Sequence, residues 1–90
     1  MIAHVAEGTE PDIDRAVKAA VSAFEKGPWP RMKPSEREKV LRRIADLIRE
    51  NKEKLALLET LDSGKPIQNS RNIDIPAAAN AFDYYAGWAD

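Results

Sequence analysis

The side chains that could do chemistry in this sequence are few. The chain has 90 residues, no cysteine and one histidine, His4. A cysteine nucleophile, a cysteine zinc site and a disulfide framework are therefore excluded within these residues. His4 has no aspartate, cysteine or second histidine near it. A structural or surface role is thus a simpler interpretation of His4 than catalysis or metal binding.

Paired carboxylates are the other group with a spacing that could support acid–base chemistry. Asp12 lies two residues before Asp14, and Glu36 lies two residues before Glu38. Both pairs fall in the first turns of predicted helices, where acidic side chains stabilise the positive end of the helix dipole. This structural role explains the pairs without catalysis.

Glycines are too scattered to form a phosphate-binding loop. A dinucleotide fingerprint needs three glycines within six residues, so that the backbone can approach a pyrophosphate. The four glycines of this chain lie far apart, each at a predicted helix end: Gly8, Gly27, Gly64 and Gly87. Residue types alone thus predict a helical segment without an assembled catalytic, cofactor or metal site.

The charge distribution gives little support for a nucleic-acid partner. The net charge is −1, and 43% of the residues are hydrophobic. Residues 31–54 carry a net charge of +4 between two acidic flanks. Their charges are interleaved, which favours a solvated helix face over a basic binding surface. The predicted ion pairs at helical spacing are Glu38–Arg42, Asp46–Arg49 and Glu50–Lys54.

The elements predicted around these residues are mainly helical. Residues 1–6 contain β-formers and predict a short strand. A first helix follows, with Thr9 and Asp12 as a capping-box arrangement and Gly27 at its end. Residues 34–62 predict two helices that meet at Asn51, or one bent helix, and Gly64 stops them.

The last helix is predicted to begin near Asp74, which would cap it, with Pro76 in the first turn. It ends near Gly87. The predicted fold class is mainly α, with three to four amphipathic helices after a short N-terminal strand. A strand without a partner is not stable alone, and the final helix has a broad apolar face. Both features predict that more protein surrounds this chain.

The compartment predicted from the sequence is the cytoplasm. No apolar stretch approaches the roughly 18 residues needed to cross a bilayer. Residues 1–10 also lack the basic run and apolar core of a secretory signal.

The order of several short motifs resembles the N-terminal portion of the NAD(P)-dependent aldehyde dehydrogenase superfamily. The resemblance covers nearly the whole chain and is nearest to the group with the class 1/2, betaine-aldehyde and aminoaldehyde enzymes. The motifs, in order, are VAEGTE (5–10), WPRM (29–32), ER (36–37), LRRIADLI (41–48), ETLDSGKP (59–66), DIPAA (74–78) and YYAGWAD (84–90).

This resemblance implies an enzyme that oxidises an aldehyde to a carboxylic acid through a cysteine thiolate, with NAD or NADP as cofactor. Residues 1–90 would be the helical start of its Rossmann-like cofactor domain, an incomplete domain. The catalytic and nucleotide-binding residues of such enzymes lie beyond Asp90, so none is assigned here. The partners implied are the rest of the chain, a small aldehyde and further subunits, in a homodimer or homotetramer.

The resemblance also implies one functional surface within the chain. In relatives, the start of the helix that corresponds to residues 73–88 lines the substrate tunnel. Ile73, Asp74 and Ala77 would face that tunnel here. In aminoaldehyde-oxidising relatives, an acid at the place of Asp74 helps to receive a cationic substrate tail. The alternative is that Asp74 only caps the helix, with Ile73 and Ala77 as packing residues.

Two other hypotheses come from different functional classes. The first is a stand-alone helical interaction module without enzymatic activity. The second is nucleic-acid binding through residues 31–54, which would give salt-dependent affinity for a duplex.

We expect the 90-residue polypeptide, made alone, to expose apolar surface and self-associate. We also expect it to reduce neither NAD⁺ nor NADP⁺ with any aldehyde. Size-exclusion chromatography and a thermal melt check the first expectation, and a spectrophotometric assay checks the second. A monomer that unfolds cooperatively would support the interaction module instead.

Overall fold

The computed structural model describes residues 3–89 and is helical along most of that length. It divides into two compact units, one up to Lys33 and one from Pro34 onward. This confirms the mainly α prediction.

The predicted N-terminal strand is wrong. Met1 and Ile2 lie outside the described residues, and residues 3–9 form neither helix nor strand. Val5 is 90% exposed. No strand occurs anywhere in residues 3–89, so the β-forming side chains have no neighbouring strand to pair with there. Without a partner, β-propensity alone does not order a strand.

The first unit is organised by helix α1 (Glu10–Lys26), whose start is the predicted one. Oδ2 of Asp12 accepts hydrogen bonds from the Thr9 backbone N–H at 3.0 Å and from the Thr9 hydroxyl at 2.8 Å. The hydrogen bond from the Thr9 backbone is the main cause of a lowered Asp12 pKa. The bond from the Thr9 hydroxyl and a contact with Arg15 lower it further. The ionised cap therefore stabilises α1 at neutral pH, and the effect is lost as the pH falls through that lowered pKa. Gly27 follows the helix, as predicted.

An apolar stripe on α1 has no cover within its own unit. The larger side chains of the stripe are between 47% and 80% exposed, and they are Ile13, Val17, Val21 and Phe24. Their spacing is that of a helix face built to pack against other protein. A 3-10 turn (Trp29–Arg31) completes the unit.

The second unit begins with two helices, α2 (Pro34–Glu50) and α3 (Lys52–Ser63). They are separated at Asn51, so the two-helix alternative is confirmed. Asn51 leaves helical geometry (φ −102°, ψ 17°), and its side-chain amide donates to the carbonyl of Leu47 at 2.8 Å. The short polar side chain satisfies a carbonyl near the end of α2.

Helix α3 is followed by Gly64, which has the left-handed conformation with φ of +79°. The Gly64 N–H donates to the carbonyl of Thr60 at 2.9 Å. The chain then forms a short helix α4 (Ile67–Asn69), a π-helical segment (Ser70–Asp74) and helix α5 (Ile75–Ala86) without a break.

The core of the second unit consists of small side chains. All four fully buried apolar residues of the described chain are alanines, Ala45, Ala56, Ala79 and Ala86. The most extensive helix contact is between α2 and α5, which contribute three of these alanines. Small side chains let helix backbones approach closely. A larger side chain at such a position would cost about 1–3 kcal/mol through overpacking.

Arginines of α2 add polar contacts to the α2–α5 packing. Arg49 donates to Asn80 Oδ1 at 3.1 Å and to the Asp83 carboxylate. Arg42 lies 3.7 Å from the other oxygen of Asp83. The basic side chains are thus used in ion pairs at the surface of the unit, as a solvated charged face predicts.

Two of the ion pairs predicted at helical spacing are present. Glu38 accepts from Arg42 at 2.8 Å, and Asp46 lies 3.7 Å from Arg49. The predicted partner of Glu50 was Lys54, but Glu50 pairs with Arg43 at 3.1 Å.

None of the helices within residues 3–89 combines the length and the hydrophobicity that a membrane crossing requires.

Replacing Gly64 by alanine should lower the free energy of unfolding by about 1 kcal/mol. An added Cβ meets nothing within 4 Å, so the cost comes from the positive φ alone. Gly64→Asn should cost less, because asparagine adopts this conformation more readily. Urea unfolding of the protein that carries each variant checks this; equal losses would contradict it.

Candidate functional site

The residues expected along a substrate tunnel lie where the π segment passes into α5. Ile73 is 61% exposed and Ala77 is also exposed. The Asp74 side chain is one-third exposed. The structure thus brings the three residues to one short stretch, with two of them open to whatever covers this surface.

The start of α5 differs from the prediction in one respect. The α-helical geometry begins at Ile75, close to the predicted start, but Asp74 does not cap it. Asp74 has helical dihedral angles (φ −68°, ψ −50°), and its side chain makes no capping hydrogen bond. Because helical residues already precede Ile75, its N–H finds a backbone acceptor in the carbonyl of Ser70. A side-chain cap is not needed there.

Pro76 gives a physical reason for the π segment. In a continuous α-helix its nitrogen would face the carbonyl of Asn72, but proline has no N–H and its ring crowds that carbonyl. Widening the turn relieves the crowding, and the Ile75 N–H bonds five residues back, to Ser70. One extra residue in the turn rotates the preceding side chains relative to α5.

Asp74 is held by a lysine that the sequence analysis did not single out. Its Oδ2 accepts a hydrogen bond from Lys65 Nζ at 2.8 Å. The same ammonium lies 3.4 Å from Glu59 Oε1 on α3. Lys65 thus bridges α3 and the π segment, and the side chain expected to cap α5 forms an ion pair instead.

Ser70 is the one fully buried polar residue among those described. Its hydroxyl lies 2.9 Å from the Thr60 hydroxyl of α3, so the buried group is satisfied. The Arg71 Nε also reaches both carboxylate oxygens of Glu53, at 2.9 and 3.0 Å. The π segment therefore contacts α3 directly at Ser70 and Arg71, and it contacts α3 through Lys65 at Asp74.

No local sequence pattern predicts the contacts of Lys65 or Ser70. Lys65 and Asp74 are nine residues apart, in the turn after α3 and in the π segment. Thr60 and Ser70 are ten residues apart, on different elements. The only sequence signal is Pro76, which disturbs a helix if residues 67–75 are already helical. Because residues 67–75 contain few apolar side chains, hydrophobic periodicity does not predict this helix.

The contact with Asp74, and to a lesser degree the one with Glu59, raises the pKa of Lys65. Lys65 is therefore fully charged at neutral pH. Since the raised pKa belongs to the folded state, the ion pair stabilises the fold below pH 10.5, the ordinary value for lysine. That contribution is lost as the pH rises through the raised pKa.

A separate cleft of about 210 Å³ lies beside α5. Its lining residues are Arg49, Lys52, Ile75, Pro76 and Asn80. It contains none of the three expected tunnel residues. Within residues 3–89, no group of three or more histidine, cysteine, aspartate or glutamate side chains is placed to hold a metal ion.

Known proteins resemble this chain over its whole length. The sequence profile of the aldehyde dehydrogenase family matches residues 1–90. Aldehyde dehydrogenase family 2 member B4, mitochondrial, from Arabidopsis thaliana is 59% identical over 90 residues, which is 100% of this chain and 17% of that protein. Benzaldehyde dehydrogenase, mitochondrial, from Antirrhinum majus is 51% identical, with the same coverage. The chain thus spans about one-sixth of the length of these relatives.

Solved structures of aldehyde dehydrogenases are also similar to this chain. The NAD⁺ complex of an aldehyde dehydrogenase from Bacillus cereus gives a TM-score of 0.89 at 54% identity, over 93% of this chain and 17% of that one. An apo indole-3-acetaldehyde dehydrogenase gives 0.93 at 45% identity, over 98% and 20%.

The contacts of Lys65 predict how its titration responds to substitution. Asp74→Asn should lower the pKa of Lys65, because the hydrogen bond to the Asp74 carboxylate is the main cause of the raised pKa and is lost. Glu59→Gln should lower it less, since that contact is longer. Carbon NMR of reductively methylated lysines, followed against pH, measures both changes. A larger effect from Glu59→Gln would show that Asp74 is not the main partner.

Proposed function

The chain belongs to the aldehyde dehydrogenase family over residues 1–90, and on that basis we propose that it is a helical part of an NAD-dependent enzyme that oxidises an aldehyde to a carboxylic acid. The likeness to an aldehyde dehydrogenase with bound NAD⁺, at 54% identity, is the observation that carries the proposal. Helices that agree this closely in sequence and geometry serve the same scaffold role.

The chemistry of the proposed reaction requires residues from outside this chain. An enzyme of this kind needs a thiolate nucleophile, and this chain has no cysteine. Its described residues do not fit a nucleotide either. The glycines are dispersed at or near helix ends, so no run of backbone N–H groups forms a phosphate cradle. We assign catalysis and cofactor binding to the rest of the enzyme, and the choice between NAD and NADP with them.

The role of this chain is then to support the cofactor domain and shape one wall of the substrate path. We propose residues 1–90 as the helical start of that domain, which other parts of the enzyme complete. The exposed stripe of α1 and the aromatic surface of α5 support this proposal. Tyr84, Tyr85 and Trp88 are all more than 60% exposed, and the ring of Tyr84 contacts each of the other two rings. Surfaces of this kind pack against other protein.

The tunnel assignment of Ile73, Asp74 and Ala77 stays a proposal, and the exposure of Ile73 and Ala77 supports it. The small Ala77 side chain would leave the tunnel wide. The helical backbone conformation of Asp74 and its ion pair with Lys65 argue against the alternative role of Asp74 as a helix cap.

Assembly and location extend the proposal to the whole protein. We propose a homodimer or homotetramer, which sedimentation of the whole enzyme would establish. The cytoplasm stays the predicted compartment. Both relatives described above have names that place them in mitochondria, so cell fractionation is the direct test.

The function itself is tested with the whole enzyme. We expect aldehyde-dependent reduction of NAD⁺, followed by the absorbance of the reduced nicotinamide, with NADP⁺ assayed in parallel. An intact, folded enzyme that reduces neither cofactor with aliphatic or aromatic aldehydes would overturn the proposal.

Enlarging Ala77 should narrow the tunnel. Ala77→Leu should lower kcat/KM for a bulky aromatic aldehyde about tenfold and change that for acetaldehyde less than about twofold. Ala78→Leu is the matched control, because Ala78 is also exposed but points about 100° away around the helix. Equal losses for both aldehydes, or the same selectivity in both variants, would show that Ala77 does not line the tunnel.

A further inference from the structure

The cleft beside α5 combines cationic and amide side chains with apolar ones. Its volume is about 210 Å³, and it is formed by the end of α2, the start of α3 and the first turns of α5. The polar residues of the lining are Arg49, Lys52 and Asn80, and the apolar ones are Ile75 and Pro76. Within the described residues, no aspartate or glutamate belongs to this lining. An anion in the cleft therefore meets positive charge and hydrogen-bond donors.

Two of the polar groups are held in position by contacts between α2 and α5. Arg49 donates to Asn80 Oδ1 at 3.1 Å, and its guanidinium pairs with Asp83. Because Arg49 takes the amide oxygen of Asn80, the N–H groups of that amide are the part left to donate to a ligand. The orientation of these donors is set by the protein itself, which lowers the cost of ordering them when a ligand binds.

Lys52 carries a positive charge that its surroundings do not balance. It is the first residue of α3 and is half-buried. Within residues 3–89, its ammonium has no hydrogen-bond or ion-pair partner, whereas the charge of Arg49 is balanced by Asp83. An ammonium that is partly removed from water gains more from an opposite charge than a fully exposed one does. Lys52 is therefore the group in the cleft that a carboxylate would stabilise most.

The apolar lining restricts which anion fits best. Pro76 has no N–H, and the Ile75 N–H is already bonded to the carbonyl of Ser70. A compact inorganic anion would leave these side chains in contact with water, whereas a carbon chain would cover them. An apolar cavity of about 150 Å³ holds a molecule the size of benzene, so this cleft has room for a branched carboxylate of about five carbons.

We propose that this cleft is a binding site for small aliphatic carboxylates. Lys52 and Asn80 bind the carboxylate, and Arg49 orients Asn80 and adds positive charge. Ile75 and Pro76 contact the carbon chain. The inference goes beyond the proposed function, because none of these residues takes part in the proposed oxidation of an aldehyde.

The test titrates the whole protein that contains this chain with isovalerate. Its lysines are reductively methylated with carbon-13, which keeps their positive charge, and Lys52→Arg assigns the Lys52 NMR signal. We expect this signal to shift and saturate, with half-saturation on the order of 1 mM, because a partly exposed ion pair and a small apolar contact give modest affinity. Lys54, which lies outside the cleft lining, is the internal control and should not shift.

Two other probes separate the contributions of charge and carbon chain. Isovaleramide has the same shape as isovalerate but no charge, and inorganic phosphate has charge but no carbon chain. At the same concentration and ionic strength, both should shift the Lys52 signal less than isovalerate does. An equal response to either probe would overturn the assignment to carboxylates.

Three variants keep the Lys52 signal as the readout. Asn80→Asp retains an oxygen for Arg49 but adds negative charge to the cleft, and it should raise the half-saturation concentration at least about fivefold. Gln68→Glu changes the charge equally at an exposed residue outside the lining and should have less than about a twofold effect. Ile75→Ala removes apolar contact and should raise the concentration about threefold.

Each outcome has a distinct meaning. A saturable shift of the Lys52 signal that Asn80→Asp weakens and Gln68→Glu does not supports the site. A folded protein whose Lys52 signal does not respond to isovalerate overturns it, as does an equal loss in the Asn80 and Gln68 variants. The readout follows Lys52 rather than turnover, so failure of this inference is distinguishable from failure of the proposed aldehyde oxidation.

Discussion

The close packing of α2 against α5 is the contact on which the second unit depends. Three of the four apolar residues that are fully buried within residues 3–89 belong to these helices, and all are alanines. Alanine loses no side-chain entropy on burial, and it lets two backbones approach so that many weak dispersion contacts form. The Arg49–Asp83 ion pair adds orientation rather than much stability, because partly exposed pairs contribute little. With so small a core, many of the larger apolar side chains remain exposed and available to other protein.

The surface around the π segment depends on this packing through a second layer of contacts. Helix α5 fixes the carboxyl end of the π segment, and α3 fixes its beginning through the Thr60–Ser70 hydrogen bond. Pro76 prevents an ordinary α-helical turn between these two supports. Asp74 is therefore positioned by constraints on both sides. Its ion pair with Lys65 is a consequence of that geometry and not the cause of it.

Local interactions explain why much of the helix pattern was predictable. The Thr9–Asp12 cap and the stop at Gly64 depend on residues within four positions of each other. Asn51 acts on Leu47, also four positions away. The predicted strand failed for the opposite reason, since a strand requires a partner that no local pattern supplies. Asp74 as a cap failed because the helical state of the residues before it depends on contacts with α3.

The sequence by itself determined the family resemblance, the helix limits set by caps and glycines, and the absence of a cysteine nucleophile from these residues. Each of these follows from residue identity or from neighbours along the chain. Only the tertiary structure decided that residues 70–74 form a π turn and that Lys65 occupies the carboxylate of Asp74. Both outcomes depend on contacts between residues nine or ten positions apart, Lys65–Asp74 and Thr60–Ser70, and the energies of these contacts arise only after the segments that carry them have packed together.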